Sequence, residues 1–393
     1  MNELGFSALS FIPLAISLVT LIVGLVLWFF VNRSSSRAND QIALLEELVD
    51  LQKRQNALLR RLCEANEPEP EHKPAEKAEE ENDDDFVRLP GDVQKWRQER
   101  KAQKLPHPPA DGYSSFIQRW WQPVDLRGSD DRVWWLGHAS LLLRLNGYFL
   151  LTDPVFSRRA SPVSFAGPSR RTEVPLDLNQ LPRLDAVLIS HNHYDHLDRK
   201  TVRRLIKRFP DVHFFVPLGL KAWFSRRGIE QVTELDWWQS FNWCGMVFTA
   251  VPARHWSMRT FWDRNRSLWC GWVVEQGALR FWFSGDSGYT ESLAEIAKRL
   301  GPFDMAALPI GAYEPRWFMG DHHMDPQQAV TLWQAIGKPV TIPIHWGVFE
   351  LADESLDKPP QELLAALQEQ GENDNLFSPL PIGQSLPFSK NKN

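Results

Sequence analysis

Between His191 and His196 the chain reads His-Asn-His-Tyr-Asp-His, which puts three imidazoles and a carboxylate within six residues. A core or a solvated loop needs no such density, and neutral imidazole and carboxylate are the donors that hold Zn²⁺ and its neighbours. The preceding run, Ala186-Val187-Leu188-Ile189, is short and apolar, the pattern of a buried strand. After it, Asp198 stands in an N-cap position before Val202, Leu205, Ile206 and Phe209, which recur at helical spacing. The cluster is therefore expected in a strand-to-helix turn, where a packed scaffold holds its donors rigidly.

A metal held there needs further donors from elsewhere in the chain. His255 follows Val247 to Val251, Asp286 lies in Ser284-Gly285-Asp286-Ser287-Gly288 after Phe281-Trp282-Phe283, and His345 closes Ile342-Pro343-Ile344. Each alone also fits an ordinary loop histidine or a glycine-rich turn. Their common place at the end of an apolar run is what ties them to the cluster.

The elements that must position these residues are short. Strands are expected at Arg132 to Trp135, Ser140 to Leu145, Tyr148 to Leu151, Ala186 to Ser190, His213 to Val216, Met246 to Ala250, Leu268 to Val274, Leu279 to Phe283, Met305 to Ile310 and Val340 to Ile344. Helical patterns fall at Thr201 to Phe209, Ser292 to Leu300, Pro326 to Ile336 and Pro360 to Gln370. Strands interspersed with helices argue for an α/β body with two sheets and helices outside them. That body spans 90–393.

The first 89 residues have another character. No charged residue occurs from Leu4 to Val31, longer than the roughly 20 residues that cross a bilayer, and Trp28-Phe29-Phe30 suit its interface. A transmembrane anchor is expected over 1–32. A cleaved signal peptide is the competing reading, but no basic segment precedes the apolar run. Arg33 and Arg37 follow it, so a single-pass protein with its catalytic domain in the cytoplasm is expected. Over 33–63, Leu44, Leu48, Leu51, Gln55, Leu58 and Leu62 alternate spacings of four and three. This is the seam of a short coiled coil and a homodimer, or one face of a single juxtamembrane helix. Residues 64–89 are dominated by Glu, Asp, Lys and Pro and read as a disordered acidic linker.

Across 393 residues the net charge is −5, which gives no reason to expect nucleic acid as a partner. The three cysteines, Cys63, Cys244 and Cys270, show no CxxC spacing and no disulfide framework, as in a reducing compartment. Tryptophan is abundant, at 18 residues, and serves either a core or a lipid-facing surface. The helix after the histidine cluster carries Arg199, Lys200, Arg203, Arg204, Lys207 and Arg208. Such a face is either simply solvated or drawn to an anionic membrane or substrate.

The motif from His191 to His196 resembles that of the metallo-β-lactamase superfamily. The resemblance implies a four-layer αββα sandwich with two Zn²⁺ ions at its edge. One ion would take His191, His193 and His255, the other Asp195, His196 and His345, with Asp286 bridging and room for a bridging hydroxide. Val133 to Ser140, Leu151 to Phe156, Ile310 to Met319 and Asp325-Pro326 further resemble the N-acylphosphatidylethanolamine-hydrolysing phospholipase D branch. That resemblance runs from about Asp131 to Glu354. It implies a zinc phosphodiesterase that splits a phospholipid into a free head group and phosphatidic acid. His323, just before Asp325-Pro326, matches an active-site histidine of the branch, and Asp286 and His323 are the expected catalytic residues. His138 is expected either to support a ligand from behind or to pack beside the site, and Asp153 to orient a ligand.

The leading expectation is thus a membrane-anchored, phospholipase D-type hydrolase with a phospholipid substrate. Two metals can activate a shared water and stabilise an in-line displacement at phosphorus. Val163-Ser164-Phe165 depart from the polar residues the branch places toward the acyl amide, leaving the N-acyl requirement open. The alternatives are a lactonase of a small phosphorylated sugar acid, a nuclease, and a membrane-tethered scaffold without catalysis.

Overall fold

The structure is a computed structural model and describes residues 91–260, 262–373 and 375–388. The chain divides into two units, 1–82 and 83–393, and every described residue falls in the second.

Apolar residues alternating along the first strands set the layers. β1 (Arg132–Gly137), β2 (Ser140–Leu145) and β3 (Tyr148–Thr152) form an antiparallel meander. Val133 and Trp135 face one buried cluster while Trp134 and Leu136 face another, the period of two that a pleated strand imposes. β4 (Ala186–Leu188), β5 (His213–Pro217) and β6 (Val232–Leu235) then add in parallel. With β13 (Ser385–Pro387) beside β1, the first sheet runs β13-β1-β2-β3-β4-β5-β6.

The second sheet runs β12-β11-β10-β9-β8-β7. Its members are β7 (Ser240–Trp243), β8 (Met246–Val251), β9 (Gly271–Gln276), β10 (Leu279–Phe283), β11 (Met305–Pro309) and β12 (Val340–Ile344). Phe215 of the first sheet stacks on Phe248 of the second at 4.2 Å between ring centroids. Among the described residues, one buried cluster fills the space between the sheets and extends to α7 (Pro326–Ala335) and α8 (Lys358–Glu369). The other lies between the far face of the first sheet and α3 (Arg199–Arg208) with α4 (Lys221–Ser225). Helices therefore cover both outer faces of a two-sheet sandwich, the architecture expected from sequence.

Local signals account for the helix starts. Asp198 caps α3 by accepting from Lys200 N, and Asp325 caps α7 in a capping box with Gln328, with Pro326 at its first turn. The remaining helices are α1 (Asp92–Gln103), α2 (Gly112–Trp120), α5 (Ala294–Leu300) and α6 (Arg316–Met319). α1 has no buried residue, so its sequence carries no amphipathic pattern to announce it. It is tied down through Trp96, which stacks on Phe318 at 4.9 Å and donates to Asp353.

One expectation is corrected. Among the described residues no helix is long and apolar enough to cross a membrane, and this overturns the single-pass membrane placement with a cytoplasmic catalytic domain. The apolar run, the heptad seam and the acidic linker on which that placement rested all lie outside the described residues.

Candidate metal centre

Strand direction brings the site together. β1, β3 and β4 point the same way in the first sheet, as do β8, β10, β11 and β12 in the second. His138 follows β1, Asp153 follows β3, and the His191–His196 turn follows β4. His255, Asp286 and His345 follow β8, β10 and β12. All seven residues expected as ligands thus gather at one edge of the sandwich.

Two clusters result. In the first, His193 Nδ1 lies 2.8 Å from His191 Nε2 and 3.2 Å from His255 Nε2. In the second, Asp286 Oδ2 lies 2.9 Å from His196 Nε2 and 3.0 Å from His345 Nε2, with Asp195 Oδ2 at 3.4 and 3.6 Å from the same nitrogens. Asp286 Oδ2 also lies 3.9 Å from His191 Nε2 and 3.8 Å from His255 Nε2, so this carboxylate stands between the clusters.

The outer nitrogens of His191, His196, His255 and His345 are held by other groups. Ser190 Oγ is 2.9 Å from His191 Nδ1, the His322 carbonyl accepts from His255 Nδ1 at 3.0 Å, and the Gly311 carbonyl from His345 Nδ1 at 3.3 Å. Asp153 accepts from His196 Nδ1 at 2.7 Å, from Ser190 N at 2.7 Å and from Ser190 Oγ at 2.5 Å. Such contacts fix each tautomer so that the inner nitrogen offers a lone pair.

These donors fit a divalent metal. Nε2 of His196 and of His345 and Oδ1 of Asp286 are buried without a hydrogen bond, which a native site does not tolerate unless something else meets them. Geometry groups His191, His193 and His255 as one candidate donor set and His138, Asp195, His196 and His345 as another. Burial holds His191 well below its usual range, reinforced by the neighbouring imidazoles, and brings His193 down to about 4. Neutral imidazole is the ligating form. Burial opposes charge on His345 too, but Asp286 and Asp195 raise it to about 9, and Asp286, Asp195 and Asp153 overcome burial at His196 in the same way. The two carboxylates draw positive charge to the place a cation would supply it.

The backbone around the site is constrained. His138, Asp153 and His345 have φ of 53°, 33° and 66°, in the left-handed region that non-glycine residues seldom occupy. A Cβ on Gly311 would lie 2.2 Å from the His345 carbonyl oxygen, so glycine is required for that strand end to pass so close.

His323 lies beside the centre, its ring centroid 5.1 Å from those of both His255 and His345, and its Nδ1 is buried without a hydrogen bond. His138 stands behind Asp195 as a supporting residue. Its Nε2 is 3.0 Å from Asp195 Oδ2, and its ring lies 4.1 Å from that of His345. Arg259, which sequence reasoning missed, donates to the carbonyls of Asn192 at 2.6 Å and Leu197 at 2.7 Å and lies over the Tyr194 ring at 4.1 Å. No motif marks it, because an arginine that supports backbone carbonyls looks like any other arginine in sequence.

Known proteins resemble this chain in two stretches. Residues 148–346 match the model of the β-lactamase superfamily domain, and residues 15–91 match that of YebO-like protein. The N-acyl-phosphatidylethanolamine-hydrolyzing phospholipase D 1 of Caenorhabditis elegans is 42% identical over 262 residues, which are 64% of this chain and 74% of that protein. The uncharacterized protein YebO of Salmonella typhimurium is 64% identical over 91 residues, 23% of this chain and 96% of its own length. An isothiocyanate hydrolase from Delia radicum gut bacteria shares the fold, with a TM-score of 0.52 and 18% identity over 66% of this chain and all of that one (100%). The chain therefore belongs to the N-acylphosphatidylethanolamine-hydrolysing phospholipase D family of the β-lactamase superfamily, as a metal-dependent hydrolase that also carries a YebO-like segment over residues 15–91.

Proposed function

We propose that the chain is a zinc-dependent phosphodiesterase of phospholipase D type that acts on N-acylphosphatidylethanolamine or a related phospholipid at a membrane surface. The observation that carries this reading is Asp286 Oδ2 between two clusters of imidazole nitrogens, within 2.9 to 3.9 Å of four of them. Imidazole and carboxylate donors in tetrahedral numbers suit Zn²⁺. His191, His193 and His255 would hold one ion, Asp195, His196 and His345 the other, and Asp286 would contact both.

Bound cations supply Lewis-acid stabilisation of a phosphate oxygen and a lowered pKa for water. The chain supplies the rest. Asp153, Ser190 and the carbonyls of Gly311 and His322 aim the imidazoles, so no reorganisation is needed during reaction. His323 holds a buried ring nitrogen without a protein partner beside the centre, from which it would hydrogen-bond the phosphate or the departing oxygen. Water adds to phosphorus, the bond from phosphorus to the head-group oxygen breaks, and the products are phosphatidic acid and a free head-group alcohol.

The test is incubation of purified full-length protein with N-acylated and plain phosphatidylethanolamine in detergent, with and without chelator, following head-group release. Chelator-sensitive release is expected from the N-acylated lipid at least. If no phospholipid is split in a metal-dependent way while a sugar-acid lactone is opened, the lactonase reading replaces this one.

A further inference from the structure

A groove of about 1000 Å³ opens beside the metal-binding turn, lined by Tyr194 and Asp198 of that turn. Its walls bring together elements far apart in sequence: the 157–165 loop, the start of α3, the end of α4 and the 259–266 loop. They carry Arg158, Arg199, Lys200, Arg203, Arg226 and Arg266, none of which forms an ion pair among the described residues. The two carboxylates in the lining are already occupied. Asp198 accepts from Ser157 N, Lys200 N and Thr201 Oγ1, and Asp263 from the amides of Arg259 and Thr260.

Against only these two carboxylates, so many cations repel one another. Burial lowers the pKa of Arg227, and the nearby charges of Arg199 and Arg226 lower it further. The fold keeps this concentration of like charge instead of dispersing it, at a cost that an anionic partner would remove. At the groove's rim stand two large apolar side chains that the core does not use. Phe165 is 81% and Trp262 69% exposed, on separate loops, with Val163 exposed beside Phe165.

We propose that this groove docks the protein on an anionic phospholipid surface, its arginines meeting lipid phosphates while Phe165 and Trp262 enter the interfacial layer. Aromatic rings at head-group level with basic residues behind them suit a lipid interface. A single-stranded nucleic acid would instead call for free stacking platforms along the groove, whereas the rings of Tyr194 and Trp223 in the lining already carry the guanidinium groups of Arg259 and Arg227. The choice of lipid as occupant rests on the lipid-hydrolase reading. It extends that reading by naming the face that meets the membrane and the lipid charge it selects. Arg259 also lines the groove, and its guanidinium supports the carbonyls of Asn192 and Leu197, so one side chain belongs to both the docking face and the metal turn.

The experiment uses the full chain with Cys63→Ser and Cys244→Ser, and Phe165→Cys carrying an environment-sensitive fluorophore. Phosphatidylcholine vesicles with and without phosphatidylglycerol are added at low and high salt. A blue shift on anionic vesicles, absent on zwitterionic ones and reversed by salt, is expected. Adding Arg199→Ala, Arg203→Ala and Arg226→Ala should weaken it on the order of 100-fold, and lysine at the same positions should restore most of it. Turnover of a water-soluble phosphodiester, bis(p-nitrophenyl) phosphate, should be unchanged in the triple variant, which shows that it folds and retains its centre. No shift on anionic vesicles, a shift untouched by the triple substitution, or a shift on RNA homopolymer alone overturns the proposal. A shift on anionic vesicles by a protein that leaves N-acylphosphatidylethanolamine intact in detergent supports the docking face and overturns only the substrate reading.

Discussion

His196 Nδ1 lies 2.7 Å from Asp153 Oδ2, and the same aspartate receives the Ser190 amide at 2.7 Å. One buried carboxylate at the end of β3 thus fixes both the rotation of a β4-turn imidazole and the backbone that precedes the turn. Asp153 is itself raised by burial, against the bonds from His196 and Ser190 that favour its charge. The aspartate is kept at that cost because His196 must present Nε2 to the centre.

Substituting Asp153→Asn keeps the left-handed backbone accessible, since asparagine tolerates it, but removes the charge that aims His196. Metal affinity should fall by about 10- to 100-fold, measured by competition with a chromophoric chelator. Unchanged affinity would show that His196 needs no such support.

Asp286→Asn removes the carboxylate common to both clusters. Metal content should drop below two ions per chain and turnover should fall by at least about 100-fold, as the loss of several kcal/mol of charge stabilisation implies. Wild-type turnover with full metal content would refute the two-metal assignment.

Chelation should destabilise the fold. Without a cation the edge holds the carboxylates of Asp195 and Asp286 among imidazoles with buried, unbonded nitrogens. Re-adding zinc at about 100 times its dissociation constant should return about 3 kcal/mol, read as a rise in Tm. A Tm indifferent to metal would mean that the apo edge is already satisfied.

Arg259→Met should leave the carbonyls of Asn192 and Leu197 without a donor, at a cost of about 3 kcal/mol in urea unfolding. Both bonds leave one nitrogen, Nη1, so lysine should rescue part of the loss but not the stacking of the planar guanidinium on the Tyr194 ring. Full rescue by lysine would reduce Arg259 to a charge.

Glu354 is buried and accepts from the amides of Ala312 at 2.6 Å and Glu314 at 3.1 Å, yet burial pushes its carboxyl up to about 7. A raised carboxyl pKa means that the folded state binds the proton more tightly than the unfolded one. Its contribution is therefore full below the unfolded value of about 4.5 and is lost as pH rises through about 7, up to about 3 kcal/mol. Urea midpoints measured between pH 5 and pH 8.5 should fall for the wild type and show a shallower fall for Glu354→Gln. Parallel curves would place the ionisation elsewhere.

Much of the site is legible in the amino-acid sequence. Three imidazoles and a carboxylate in six residues need no tertiary context to signal a metal, and apolar runs mark His255, Asp286 and His345 as strand-end residues. The expected spans of β2, β10 and β12 coincide with the strands in full, because each is mostly apolar and mostly buried and little else competes for such a run. β6 and β7 carry no such signal. They are edge strands, and Ser240-Phe241-Asn242 of β7 are exposed, so nothing in their composition demands burial.

The sequence by itself determined which side chains carry the chemistry and that packed strands position them, since donor type and apolar spacing are local properties. Only the tertiary structure decided that strand direction in two sheets puts Asp286 between two imidazole clusters, that His138 reaches Asp195, and that Arg259 donates to the carbonyls of the histidine turn. It also decided that basic residues from four separate segments line one groove beside that turn. These are relations between strand ends and loops far apart in the chain, set by sheet order and register, which no window of sequence contains.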